Sequence, residues 1–271
     1  MDLYFKSIFL YFYLMLIEFY KYQGTGNDFI MIDDRNNLFD HNDSALISAL
    51  CERRMGIGAD GLILLRNHDK YDFEMIYFNS DGYISSMCGN GGRCIVSFAS
   101  LLDIIKNEAI FMAIDGIHKA KIIDGEVSLN MKNVDVIDDL SDAIYVNTGS
   151  PHYVKLTNNI SSIDVNSEGK KIRNLPRFKK EGVNVNFVNC EKDIFVRTYE
   201  RGVEAETLSC GTGAVATAIA LHHTNYYKEE TFHIHTKGGE LVVCFEEYGG
   251  TYQNIWLTGG VDIVFVGEFS C

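Results

Sequence analysis

Apolar residues fall along this chain in two alternating styles. Short runs rich in β-branched and aromatic residues, such as Ile17 to Tyr22, Phe29 to Ile32, Asp72 to Phe78, Tyr153 to Leu156 and Ile194 to Tyr199, have the length and make-up of strands. Other segments have a helical period. Ile95, Phe98, Leu102 and Ile105 give one of them an apolar face, and Val215, Ala218, Ile219 and His222 do the same on a second, whose small residues favour close packing. Asp115-Gly116, Asp124-Gly125, Gly238-Gly239 and Gly249-Gly250 punctuate further strand-like runs and suit two-residue hairpin turns, where φ is positive.

The pattern occurs twice. Gly26 leads into Phe29 to Ile32 as Gly149 leads into Tyr153 to Leu156, and Asn79 ends its run as Glu200 ends the corresponding one. Cys88-Gly89-Asn90-Gly91 answers to Cys210-Gly211-Thr212-Gly213, the residue numbers differing by 121 to 123 in every case. Each half reads as strand, helix, strand, Cys-Gly-x-Gly, helix and hairpin meander. The expected fold is α+β, with two like-folded halves each wrapping mostly antiparallel strands around one buried helix and joined near Lys132 to Val134.

Composition narrows the function classes. A chain of 271 residues that is 46% hydrophobic buries a substantial core. Its 37 acidic and 24 basic residues give a net charge of −13, which repels a phosphate backbone or an anionic bilayer, so neither nucleic acid nor membrane is an expected partner. Seven scattered cysteines do not read as a secreted disulfide framework, and a reducing cytoplasm is the expected location. The apolar stretch Ile8 to Ile17 is too short to span a bilayer. Glu18, Phe19 and Tyr20 follow it instead of a signal-peptide cleavage site. The preferred reading takes Met15 as the start and residues 1–14 as an extension.

The two Cys-Gly-x-Gly motifs carry the candidate chemistry. Inverting an α-carbon requires a base on one face and an acid on the other, and a duplicated chain supplies two equivalent residues facing each other across the join. Cysteine suits both roles because its ordinary pKa lies near working pH, and a helix N-terminus is expected to lower it further. Gly89, Gly91, Gly211 and Gly213 leave backbone N–H groups uncovered at the two helix starts, a setting that binds carboxylate. The expected substrate is therefore an amino acid with a free α-carboxylate, processed by Cys88 and Cys210 as thiolate and thiol without an external cofactor. Cys51, Cys94, Cys190, Cys244 and Cys271 lack this setting, and His222-His223, His233 and His235 lack the partners that a metal site needs. No metal is expected.

Gly24-Thr25-Gly26-Asn27-Asp28-Phe29, Phe78-Asn79-Ser80-Asp81-Gly82, Cys88-Gly89-Asn90-Gly91-Gly92-Arg93-Cys94, Tyr199-Glu200-Arg201-Gly202 and Ser209-Cys210-Gly211-Thr212-Gly213-Ala214 resemble the diaminopimelate epimerases in order and spacing, from Met15 to the C-terminus. The resemblance implies interconversion of LL- and meso-2,6-diaminopimelate in lysine and peptidoglycan precursor synthesis by a pyridoxal-independent two-base mechanism. It implies two lobes, 15–132 and 133–260, each a strand barrel around a central helix, with a final strand in 261–271 crossing back to the first lobe and a homodimeric assembly. Cys88 and Cys210 match the catalytic pair. Asn27, Asn79, Asn184, Glu200 and Arg201 match substrate contacts, as does the backbone at Gly89-Asn90 and Gly211-Thr212. His152, like Glu200, matches a residue supporting catalysis. The chain departs from many members at Ser150, where they have Asn, and at Gly61, where they have Gln. The competing readings are a proline or hydroxyproline racemase and, outside catalysis, a thiol-disulfide or amino-acid-binding protein that keeps the cleft.

Overall fold

The strand-like and helix-like runs alternate in the same order in both halves. The computed structural model describes residues 16–85 and 87–270, so the reading of residues 1–14 and of Met15 as the start lies outside them. The first half contains β1 (Leu16–Gly24), β2 (Asn27–Asp33), α1 (Ser44–Cys51), β3 (Gly61–Arg66), β4 (Phe73–Asn79), α2 (Gly89–Leu101), β5 (Glu108–Ala113), β6 (Gly116–Ile123) and β7 (Glu126–Asn130). The second contains β8 (Ile137–Asp139), β9 (Ile144–Asn147), β10 (Pro151–Leu156), α3 (Val165–Arg173), β11 (Asn184–Asn189), β12 (Ile194–Glu200), β13 (Ala205–Thr207), α4 (Gly211–His223), β14 (Thr231–Thr236), β15 (Gly239–Tyr248) and β16 (Thr251–Gly259). The chain ends in β17 (Asp262–Ser270).

Pairing repeats with the elements. In the first half β2 lies parallel to β3, β3 antiparallel to β4 and β4 parallel to β5, and β5, β6 and β7 form an antiparallel meander. In the second, β10, β11, β12, β14, β15 and β16 follow the same sequence of parallel and antiparallel steps. The two systems join where β7 pairs with β16. β17 returns to pair with β1 as β8 pairs with β9, so each half is finished by a strand beside its first one.

The hairpin turns follow the expectation at two of four places. Asp124 and Gly125 have φ of 52° and 86°, and Gly249 and Gly250 have 60° and 85°, so both central residues are left-handed as a tight twisted hairpin needs. In the other two, the turn falls one residue earlier, at Ile114-Asp115 and Lys237-Gly238. Gly116 and Gly239 there open the returning strand. The same displacement in both halves is a further mark of the duplication.

Each half has its own core around its central helix. Phe98 and Ile95 of α2 pack among Tyr22, Phe29, Phe73 and Phe111, and Val215 and Ile219 of α4 pack among Val146, Val188, Ile234 and Leu257. The peripheral helices are capped conventionally, with Asp43 accepting from Leu46 N at 2.9 Å and Asp164 from Ser167 N at 3.1 Å. The central helices are not. Cys88 and Cys210 occupy their N-cap positions and close no side-chain capping bond, which leaves the first N–H groups available to something else.

Candidate active site

The N-termini of α2 and α4 meet head to head between the lobes. A Cβ built on Gly89 would lie 3.9 Å from Gly211 Cα, and Leu257 of β16 touches both glycines from below. A Cβ on Gly211 would lie 2.8 Å from the tip of Leu257, so that side chain would have to shift to admit one. This close approach brings Cys88 and Cys210 together, with Cys88 half-buried and Cys210 buried. The β1–β2 turn docks onto the other lobe beside them. Thr25 Oγ1 lies 2.8 Å from Ser209 Oγ, and a Cβ on Gly238 would collide with the Thr25 carbonyl.

Around Cys88 the partners are amides and a guanidinium. The Sγ donates to Asn27 Oδ1 at 3.5 Å, and Asn90 Nδ2 reaches the same oxygen at 3.3 Å. The Asn27 amide is oriented by Asp60, which accepts from its Nδ2 at 2.5 Å and is itself held by Arg53. Arg93, one turn into α2, is fully buried and has no carboxylate partner among the described residues. Its NH2 donates to Thr25 Oγ1 and to Asn90 Oδ1, both at 3.1 Å, and its Nε has no partner. A buried cation without a counter-ion is costly, and here it lies directly behind the place where an anion is expected.

Around Cys210 the partners are a hydroxyl and an imidazole. Thr212 Oγ1 lies 3.6 Å from the Cys210 sulfur and 3.0 Å from His152 Nε2. Burial, with the nearby Arg201 charge, lowers His152 to about 3, so this ring is neutral at working pH. Asn184 donates to Ser150 Oγ at 2.9 Å and accepts from Arg201 N at 2.8 Å, and Arg201 NH2 reaches the same serine hydroxyl at 3.4 Å. Ser150 therefore links Asn184 to Arg201. Glu200 ends β12 mostly buried, and its charge acts on both thiols. Burial, with Asp60 adding to it, raises its own carboxyl. Asn79, at the equivalent end of β4, is exposed and pairs through its backbone with Gly61.

The thiol pKa values are raised, not lowered as the helix N-termini led one to expect. Burial is the largest influence on both cysteines and pushes both up, with Glu200 adding to the rise. The N–H groups of Gly91 and Asn90 at Cys88, and the Thr212 hydroxyl with the Gly213 N–H at Cys210, pull in the other direction without prevailing. Closing the two lobes over the sulfurs removes more water than the helix ends replace. In this arrangement burial favours the thiol form of both groups.

Gly61 has a structural reason. A Cβ there would collide with the Phe78 carbonyl oxygen of the paired strand and lie 2.5 Å from the Tyr77 ring, so β4 occupies the volume that a longer residue 61 would need. The sequence alone did not single out Tyr77, Asp60, Asn186 or a role for Arg93. Asn186 had a signal, since it follows Asn184 by two residues on one strand and so faces the same way.

Residues 19–135 and 144–264 match the family model of diaminopimelate epimerase. The diaminopimelate epimerase of Flavobacterium psychrophilum is 51% identical over 252 residues, covering 92% of this chain and 98% of that protein. That of Aquifex aeolicus is 37% identical over 280 residues, covering 94% and 98%. Among solved structures, a Bacillus anthracis phenazine biosynthesis protein of the PhzF family superposes with a TM-score of 0.74 at 12% identity, covering 94% of this chain and 99% of its own. A hydroxyproline epimerase from Agrobacterium vitis gives 0.64 at 15%, covering 94% and 92%. The two superpositions establish the two-lobed α+β fold expected from the duplication. The sequence matches, which run through both cysteine motifs, decide among the enzymes that share it: the chain belongs to the diaminopimelate epimerase family.

Proposed function

We propose that this protein interconverts LL- and meso-2,6-diaminopimelate by moving the α-proton between Cys88 and Cys210, in the cytoplasm, on the route to lysine and peptidoglycan precursors. The observation that carries the reading is the head-to-head meeting of two helix N-termini, each begun by a cysteine that does not cap it. The N–H groups at Gly89-Asn90 and Gly211-Thr212 would hold the α-carboxylate and stabilise the charge that develops as the proton leaves. Bringing a zwitterion into the cleft places an ammonium near Glu200 and the sulfurs. This offsets the burial that keeps both thiols protonated and lets one become the base while the other remains the acid.

Arg201 suits the distal carboxylate because its planar fork binds one bidentately, and Asn27, Asn79 and Asn184 supply neutral polar contacts. Glu200 and His152 support catalysis from beside the sulfurs. The test is α-proton exchange of LL-2,6-diaminopimelate in D₂O, followed by NMR and chiral analysis, beside L-proline. Deuterium uptake with appearance of the meso form supports the reading. Exchange of proline alone, or of neither substrate, overturns it.

The reading includes a homodimer. β17 has one edge on β1 and, among the described residues, no strand on the other. Ile263, Val264, Phe265 and Val266 are each between 44% and 56% exposed. A long apolar edge strand is a template for pairing with a second copy. Light scattering is expected to show a dimer for the unmutated chain and a monomer for Val264→Lys. No helix among the described residues is long and apolar enough to cross a membrane.

A further inference from the structure

A continuous chain of hydrogen bonds runs behind Cys210. Thr198 Oγ1 donates to Asn186 Oδ1 at 2.9 Å, and Asn186 Nδ2 faces His152 Nδ1 at 3.1 Å and the Tyr153 carbonyl at 3.4 Å. On the far side of the ring, Nε2 is 3.0 Å from Thr212 Oγ1, which is 3.6 Å from Cys210 Sγ. Asn186 and His152 are both fully buried, so no water rearranges these roles.

The direction of each bond follows from its neighbours. The Tyr153 carbonyl only accepts, so the NH₂ of Asn186 faces it and, beside it, the imidazole. An N–H aimed at Nδ1 makes Nδ1 the acceptor, and a neutral imidazole then carries its single proton on Nε2. Nε2–H donates to Thr212 Oγ1, which leaves the threonine proton free to point at sulfur. Asn184 Nδ2, 3.5 Å from Nε2, does not compete, because its two hydrogens already serve Ser150 Oγ at 2.9 Å and the Pro151 carbonyl at 3.3 Å. With the opposite tautomer, Nδ1–H would meet the Asn186 NH₂ and Nε2 would draw the threonine proton away from sulfur.

We propose that Asn186 is a positioning residue for proton transfer at Cys210: it holds His152 as the Nε2–H tautomer and thereby makes the Thr212 hydroxyl a donor to that sulfur. The inference deepens the proposed function and rests on Cys210 being one of its two acid/base groups. The charged groups facing the chain are Arg201, which with burial keeps His152 neutral, and Glu200, whose charge acts on Cys210. Cys88 has no counterpart, since its sulfur faces an amide oxygen.

Two measurements on the full chain test it. Long-range ¹H–¹⁵N spectra, with the His152 signal identified by its loss in His152→Gln, are expected to show Nε2–H. An Nδ1–H tautomer overturns the proposal whatever any variant does. In Asn186→Leu, iodoacetamide labelling read by peptide mass spectrometry is expected to fall about tenfold at Cys210 and to stay unchanged at Cys88, with α-proton exchange falling by a similar factor. Equal changes at both cysteines, as a general loss of structure would give, or no change at Cys210, overturn it. Neither the spectra nor the labelling needs turnover, so absence of exchange in the unmutated protein counts against the proposed reaction and not against this role.

Discussion

The two half-sites start from one backbone design and finish with different chemistry behind it. In both lobes a cysteine begins a buried helix without capping it, and the two helix ends touch. Behind Cys88 stand an asparagine oriented by Asp60 and a buried guanidinium; behind Cys210 stand a hydroxyl, a neutral imidazole and Asn186. The close approach of the two helix ends is common to both halves, while the side chains behind the two sulfurs differ. The lesson is that pseudo-symmetry here extends as far as the main chain and the sulfurs and stops at the next layer of side chains.

The equivalence of the two half-sites is tested most directly at the sulfurs. Cys88→Ala and Cys210→Ala are each expected to lower epimerisation by about 10²–10⁴-fold at unchanged melting temperature, as loss of a general acid or base does. A variant of either kind that turns over at the original rate would mean that one half-site suffices. On the Cys88 side, Arg93→Met removes the buried charge and the hold on Asn90, and kcat/KM measured by the same exchange assay is expected to fall about tenfold or more.

The two helix starts also differ in how much room they leave for a side chain. A Cβ at Gly213 would lie 2.5 Å from Asn186 Oδ1 and 3.3 Å from Cys210 Sγ, whereas one at Gly91 would meet mainly the ends of Ile63, Phe29 and Met75. Urea unfolding is expected to show a loss of about 3 kcal/mol for Gly213→Ala and less than half of that for Gly91→Ala, because apolar side-chain tips give way and a fixed amide does not.

The smallest expected effect is in pH dependence. The folded His152 pKa of about 3 lies below its ordinary 6.5, so between these values the unfolded chain binds the extra proton and stability falls as pH falls; above 6.5 this contribution is constant. From pH 6.5 to 5 it amounts to about 2 kcal/mol, and the stability difference between those two pH values is expected to shrink by that amount in His152→Gln. An unchanged difference would show that the ring is not buried neutral.

Much of this protein is legible from the amino-acid order alone. Strand and helix runs, the duplication and the two cysteine motifs are patterns of spacing within short stretches, and spacing is what backbone geometry converts into elements. The return of a final strand to the first lobe is expected only through the family resemblance, and it is seen in the pairing of β17 with β1.

Other features arise from residues far apart in the chain. Thr25 meets Ser209 across 184 positions, and Asn186 reaches His152 across 34. The thiol pKa values rise instead of falling because burial depends on how closely the lobes meet, and a motif carries no record of that. Gly61 is explained by the Phe78 carbonyl and the Tyr77 ring beside it, and the orientation of Arg93 by its bonds to Asn90 and Thr25. The order of residues determined which groups begin the two helices. Desolvation, which exists only once distant segments are packed, determined the direction in which their pKa values moved.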